Sequence, residues 1–145
     1  MELSRRHAVF AIHDRDTQPA WTGIAVVTLV GAGLLAVFGL PSADLHGPLH
    51  YLGVMDPLCG GTRSVYLTMQ GKLSQALGYN PAGPIVLAAA VTMIARAVVG
   101  RVFHRWLNIR IPARILLPVA LVALVALQVN QQLHADLLTQ PWIAP

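Results

Sequence analysis

The sequence predicts an all-α membrane protein with about three transmembrane helices and one amphipathic interfacial helix in the connection between the first two. Of its 145 residues, 55% are hydrophobic and 11% are charged, which is too apolar for an ordinary soluble domain of this size. Three apolar runs each reach the length of about 20 residues that a helix needs to cross a hydrocarbon core of about 30 Å. Basic residues concentrate at one end of these runs, as the positive-inside rule requires. The lipid bilayer is therefore the expected surrounding.

The predicted spans cover about residues 21–40, 84–102 and 111–129. The first stops at Pro41 and lacks a small-residue cleavage site, so we expect a retained anchor rather than a signal peptide. Pro112 lies at the start of the third span, where a helix needs no backbone donor. Backbone groups inside lipid must be paired internally, and all three spans should therefore be helices.

The positions of the basic residues predict the orientation. One group precedes the first span or lies near the connection between the second and third: Arg5, Arg6, Arg15, Arg96, Arg101, Arg105, Arg110 and Arg114. Only Arg63 and Lys72 lie in the long connection between the first two spans. We therefore expect a cytoplasmic tail over residues 1–20, one membrane domain over 21–134 and an extracytoplasmic tail over 135–145. The second-to-third connection should attract anionic lipids through Arg101, Arg105, Arg110 and Arg114.

The outward connection should contain the interfacial helix, over about residues 62–78. Thr62 is a suitable N-cap, and Gly78 can end the helix. Apolar side chains recur every four residues between them, at Val65, Met69, Leu73 and Leu77. Such a helix is expected to lie in the plane of the membrane interface.

A motif precedes this helix. Residues 56–63 read Asp-Pro-Leu-Cys-Gly-Gly-Thr-Arg and are followed by Gly71 and by Asn80-Pro81. The pattern resembles the domain-of-unknown-function 2752 family, small bacterial membrane proteins with a Cys-Pro-x-Cys-Gly-x-Thr-Arg signature, a downstream Gly-Asp and an Asn-Pro that opens a membrane helix. Asp56 stands where that family has its first cysteine, and Lys72 stands where it has the aspartate. The resemblance therefore implies a bacterial inner-membrane protein. A two-cysteine site cannot be carried over to this sequence, and the family supplies no activity to expect.

The motif can be interpreted as an anion site or as a tight turn. Glycines before a helix expose backbone donors at the positive end of the helix dipole, where a lipid phosphate could bind. In the plainer interpretation, the arginine of the motif neutralises headgroups or pairs with Asp56. The candidate motif and anion-binding residues are Cys59, Gly60, Gly61, Thr62, Arg63, Asn80 and Pro81.

A metal site and a reactive thiol are further alternatives in the same connection. The side chains of His46, His50, Asp56 and Cys59 are of the types that bind zinc or copper. Gly47 and Pro48 disfavour a regular helix that would bring the two histidines to one face. Cys59 could be a nucleophile activated by a histidine, or a small structural side chain. No intramolecular disulfide can form, because this is the chain's one cysteine.

Polar residues within two of the predicted spans also require an interpretation. Arg96 should extend its side chain to the cytoplasmic surface, with a buried ion pair as the alternative. The end of the third span carries amides that could solvate the helix end or bond a partner helix: Gln128, Asn130, Gln131 and Gln132.

Three functions remain open from the sequence. We expect a non-enzymatic accessory subunit or homo-oligomer, without a cofactor. The alternatives are a metal- or thiol-dependent enzyme at the outer face, which would use Cys59 with His46 and His50, and a lipid headgroup binder at Gly60, Gly61 and Arg63. Nucleic acid is not expected as a partner, because the basic residues do not alternate with aromatic residues on one face.

Overall fold

A computed structural model describes residues 10–41, 52–109, 111–140 and 142. Three helices among these residues, Pro19–Phe38, Ala82–Phe103 and Ala113–Leu133, are long and apolar enough to cross a membrane, which confirms the predicted all-α membrane fold. Three short helices and two short strands complete the described part. In chain order the elements are β1 (Phe10–His13), α1 (Pro19–Phe38), α2 (Gly61–Met69), α3 (Leu73–Tyr79), α4 (Ala82–Phe103), β2 (Trp106–Ile109), α5 (Ala113–Leu133) and α6 (Ala135–Leu138).

The chain forms one polar cluster at each end of the long helices. We call the first the motif end, which comprises residues 52–81, 128–140 and 142 and contains α2, α3 and α6. The second is the sheet end, residues 10–18 and 96–109, where β1 and β2 form a two-stranded antiparallel sheet with Ile12 opposite Leu107 and His13 opposite Trp106. His104, with φ of 52°, turns the chain between α4 and β2. The sheet was not expected from the sequence, because strands of four residues carry little periodic signal.

The predicted helix over residues 62–78 is two helices. The chain leaves α2 through Gly71, which has φ of +74°. The Gly71 amide donates to the Thr68 carbonyl at 3.0 Å and the Lys72 amide donates to the Leu67 carbonyl at 2.9 Å. This pair of bonds is a Schellman motif, which ends a helix and favours glycine at the left-handed position. The interruption therefore follows from Gly71.

The long helices pack unequally. α1 and α4 contact each other, and small buried side chains on both, such as Ala25, Ala32, Ala90 and Ala97, allow a close approach. Every residue from 111 to 126, which includes most of α5, is exposed. Among the described elements, the main packing partner of α5 is the short α6. Most of the third span therefore lies free of the α1 and α4 pair.

Candidate functional site

The motif begins with a tight turn that leads into α2. The Asp56 carboxylate accepts the Leu58 amide at 2.8 Å, and the Asp56 carbonyl accepts the Cys59 amide at 3.0 Å. Gly60 then adopts φ of +73°. A Cβ at this position would lie 2.8 Å from the Tyr79 carbonyl oxygen, so glycine is required both by conformation and by space. The helix starts at Gly61 with Gly60 as its N-cap, so the prediction that Thr62 caps it is wrong.

Asn80 connects three segments of the motif end. Its side-chain amide donates to the Pro57 and Cys59 carbonyls, each at 3.0 Å. Its side-chain oxygen accepts the Ala82 amide at 2.9 Å, and Pro81 takes the N-cap position of α4 with φ of −65°. Asn80 is fully buried, and its three side-chain bonds join the turn to the start of the membrane-spanning helix. The Asn-Pro pair thus fixes where α4 begins.

A second contact holds α2 against the same helix start. The Ser64 hydroxyl donates to the Asn80 carbonyl at 2.6 Å. A Cβ at Gly83 would lie 2.3 Å from that hydroxyl oxygen, so this close approach of α2 to α4 requires glycine. The motif and the first turn of α4 therefore form one packed unit.

Cys59 lies in the core of this unit. It is 5% exposed and packs with Met55 and Leu138, beside Tyr79 and Ala135. Burial, with a smaller contribution from the Asp56 carboxylate, raises the pKa of the Cys59 thiol, although Arg63 acts in the opposite direction. A buried thiol with a raised pKa is a poor nucleophile, so the geometry favours the structural interpretation of Cys59.

Arg63 binds the segment that follows α5. Its Nη1 donates to the carbonyls of Leu138 at 3.3 Å and Gln140 at 3.2 Å. The guanidinium also lies 5.7 Å from the Tyr79 ring centroid and 5.6 Å from that of Trp142. Backbone carbonyls and aromatic faces thus occupy the group that could have bound a phosphate. Thr62 is half-buried beside it in the first turn of α2.

Two glutamines of α5 bind the main chain that precedes the motif. Gln128 donates to the Met55 carbonyl. Gln132 accepts the Met55 amide at 3.1 Å and donates to the Gly53 carbonyl at 3.1 Å. The i, i+4 spacing that places both amides on one helix face was the available signal for this contact. Both side chains therefore bond within the chain, whereas the neighbouring buried Gln131 has no hydrogen-bond partner among the described residues.

The four metal candidates are not all within the described residues. His46 and His50 lie outside the described residues. Of the four candidates, Asp56 and Cys59 are described, and both belong to the turn before α2. Within the described ranges no three His, Cys, Asp or Glu side chains come together as a possible metal group.

At the sheet end, Arg96 forms a buried ion pair, and the prediction that it extends to the surface is wrong. Its Nη2 lies 2.8 Å from the Asp16 carboxylate and 2.6 Å from the Asn108 side-chain oxygen, and its Nε donates to the Leu107 carbonyl. The Arg96 and Asp16 side chains are 5% and 18% exposed. The Trp106 ring covers the guanidinium at 5.6 Å. Asp16 precedes α1 by only a few residues, and this supplies the partner that makes burial tolerable.

The ion pair also sets the ionisation of its acid. Burial acts to raise the pKa of Asp16, but hydrogen bonds from Arg96 and from the Gln18 amide outweigh it, and the pKa lies below its ordinary value of 3.8. Asp16 is therefore a carboxylate at neutral pH.

Asn108 occupies a central position at the sheet end, as Asn80 does at the motif end. It is 1% exposed, and its oxygen accepts both Arg96 and the Thr17 amide. Its nitrogen donates to the Arg15 carbonyl at 3.4 Å. The residues that lead into α1 are thereby attached to β2, a contact between residues about 90 positions apart for which the sequence carried no signal.

The comparison with protein families concerns the motif end. Residues 48–94 match the family described as "Protein of unknown function (DUF2752)". The matched segment contains the turn, α2, α3 and the first part of α4, and it covers about a third of the chain. No curated protein and no solved structure matches the chain. Residues 48–94 are therefore similar to the DUF2752 family, which confirms the resemblance that the motif indicated.

Proposed function

We propose that this protein is a non-enzymatic subunit of a larger membrane assembly and that α5 is the helix that contacts the other subunit. The observation that carries the proposal is the exposure of α5, whose most apolar stretch contains no buried residue. α1 and α4 already have each other as packing partners. A third span with a free surface is the natural place for a further transmembrane helix to pack.

The attachment of α5 supports this role. Gln128 and Gln132 hold its last turns to residues 53–55, and α6 follows directly. The contacts fix one end of the helix and leave the apolar part open along its length. An anchored end and an open side would present α5 to a partner in a defined direction.

The motif residues support a structural rather than a catalytic role. Cys59 is buried, Arg63 binds backbone carbonyls and aromatic rings, and the side chain of Asn80 makes three hydrogen bonds within the chain. The groups considered for thiol chemistry or for headgroup binding are therefore committed to internal contacts. A stable motif end that positions α4 and α5 fits a subunit of an assembly better than an outer-face enzyme.

The proposal includes an orientation. Four exposed arginines lie at or near the sheet end, namely Arg15, Arg101, Arg105 and Arg114. The positive-inside rule would place that end in the cytoplasm and the motif end outside a bacterial inner membrane.

A site-specific photocrosslinker tests the proposal in cells. Benzoylphenylalanine replaces Val122 of α5, which is 68% exposed, or Val27 of α1, which is 73% exposed and serves as the matched control. We expect a protein adduct from position 122 and only a background signal from position 27. An adduct of twice the chain mass would identify a second copy, and any other mass would identify a different subunit. If position 122 gives no adduct above that of position 27, the proposal is wrong.

A further inference from the structure

The β1–β2 sheet has two chemically different faces. Trp106 and Asn108 lie on the face that packs on α4, and a Cβ at Gly100 would be only 2.5 Å from the Trp106 ring. Ile12 and Leu107 are cross-strand partners on the opposite face and are 68% and 43% exposed. Side chains alternate along a strand, so Ile109 joins them there. A small apolar surface therefore points away from the α4 helix.

The contacts with α4 determine the depth of this surface. Arg96 and Gly100 contact the β1–β2 sheet, and the helix ends at Phe103. At 1.5 Å per residue, the sheet lies beside the last stretch of roughly 10 Å of α4. The free edges of a two-stranded sheet need water, so this end of α4 should lie in the headgroup zone rather than in hydrocarbon. Gln18 pairs with both backbone groups of Ile109 and satisfies part of one edge.

The charges around the β1–β2 sheet are predominantly positive. Arg15 follows β1, Arg105 precedes β2, and both are exposed. The carboxylate of Asp16 is bound to Arg96 and does not compensate them. Among the described residues of the sheet end, Asp14 is the other acid, and the exposed Arg15, Arg101 and Arg105 outnumber it. An apolar face flanked by an excess of arginines is complementary to a bilayer surface that carries phosphate.

We propose that the β1–β2 sheet is a docking surface for anionic phospholipids. Ile12 and Leu107 enter the boundary between headgroups and acyl chains, while Arg15 and Arg105 bind lipid phosphates. The proposal needs only the membrane location of α4. It is independent of any partner of α5, so it can fail or succeed separately from the proposed function.

Lipid retention measures the charge component. Full-length protein is reconstituted in nanodiscs of phosphatidylcholine with increasing phosphatidylglycerol, and bound lipid is counted by native mass spectrometry after release into detergent. We expect preferential retention of phosphatidylglycerol, about fivefold weaker for Arg15→Gln or Arg105→Gln and about 30-fold weaker for the double variant. Lys72→Gln, at the motif end, removes an equal charge as the control and should retain the wild-type preference. Low reactivity of the buried Cys59 towards maleimide verifies folding in each variant.

Depth measurements test the apolar component. In a Cys59→Ala background, Ile12→Cys is labelled with a fluorophore and quenched by lipids that carry spin labels at different depths. Val27→Cys on α1 provides the reference for a position within a span. We expect Ile12 to be quenched most strongly by labels near the headgroups, and Val27 by labels deeper in the acyl chains. The proposal would be overturned if the label at position 12 were exposed to water. It would also be overturned if wild type and the double arginine variant retained phosphatidylglycerol with the same preference over phosphatidylcholine.

Discussion

Replacement of Asn80 should destabilise the motif end more than any exposed substitution. Asn80→Ala removes three side-chain hydrogen bonds and leaves the Pro57 carbonyl, the Cys59 carbonyl and the Ala82 amide without those partners. Net contributions of about 1 kcal/mol per bond give a loss of about 3 kcal/mol. Because 1.4 kcal/mol corresponds to a factor of ten, local opening of the motif end should become about a hundredfold more frequent.

Cys59 reports this opening directly. It is buried, it is the chain's one cysteine, and its carbonyl is bound by Asn80. We expect maleimide modification of detergent-purified Asn80→Ala to be about a hundredfold faster than that of wild type when opening precedes labelling. Asn108→Ala removes an equally buried asparagine at the opposite end of the long helices. It should leave the modification rate of Cys59 close to that of wild type.

Asn80→Asp separates the two parts of the asparagine's role. It keeps an oxygen for the Ala82 amide at the start of α4, where a negative charge is favourable. It also places a carboxylate oxygen against the Pro57 and Cys59 carbonyls, which need donors. We expect Asn80→Asp to expose Cys59 at least as much as Asn80→Ala does. A wild-type modification rate in both variants would refute this account of the motif.

The other predictions concern stability measured as melting temperature in detergent. Gly60→Ala should lower it, because a left-handed residue other than glycine costs about 1–2 kcal/mol and its Cβ meets backbone, whereas Gly61→Ala, with open space around its Cβ, should be neutral. Equal effects of the two would contradict the role of the turn. Asp16→Asn should lower stability at neutral pH. Because the pKa of Asp16 is lower in the folded state, the ion pair stabilises the protein fully only above the ordinary pKa of 3.8. The difference in melting temperature from wild type should therefore persist down to about pH 5 and shrink as the pH falls through 3.8. A difference that is lost nearer neutrality would contradict the ion pair. Gln131→Met should stabilise the protein by about 1 kcal/mol, because it removes a buried amide that has no hydrogen-bond partner among the described residues. Gln132→Met should destabilise it by about 2 kcal/mol, because two hydrogen bonds are lost. If Gln131→Met were the more destabilising of the two, Gln131 would have a hydrogen-bond partner in solution.

The membrane architecture could be predicted because it depends on composition over long windows. Three apolar runs of about 20 residues require helices whatever their side-chain contacts are. Their ends were predicted less well, since a helix end depends on individual hydrogen bonds. α4 begins at Ala82, before the predicted residue 84, because Asn80 bonds the Ala82 amide. α5 continues to Leu133, beyond residue 129, where its glutamines bind the loop that precedes the motif.

The division of the predicted helix over residues 62–78 could have been found from the sequence. Gly71 follows one helical segment directly, and glycine at that place is the usual signal for a Schellman motif. The four-residue apolar spacing continues through the turn, from Met69 to Leu73, and hides it. Periodicity was therefore weighted above the local signal for a helix end.

The partners of the polar side chains could not be found in this way. Asp16 and Arg96 are 80 residues apart, and nothing local shows that they pair. A single buried charge in a span has two solutions, extension to the surface or a partner, and only the fold decides between them. The same holds for Arg63, whose bonds go to carbonyls 75 and 77 residues further along the chain.

The position of Leu138 has a consequence for biogenesis. The core around Cys59 includes Leu138, which follows α5, so residues on both sides of α4 and α5 have to meet before that core exists. During synthesis, residues 48–94 leave the ribosome before α5 and α6, so the Cys59 side chain lacks the packing of Leu138 until those helices have followed. A pause of the ribosome between α4 and α5 would therefore leave this thiol exposed on the nascent protein.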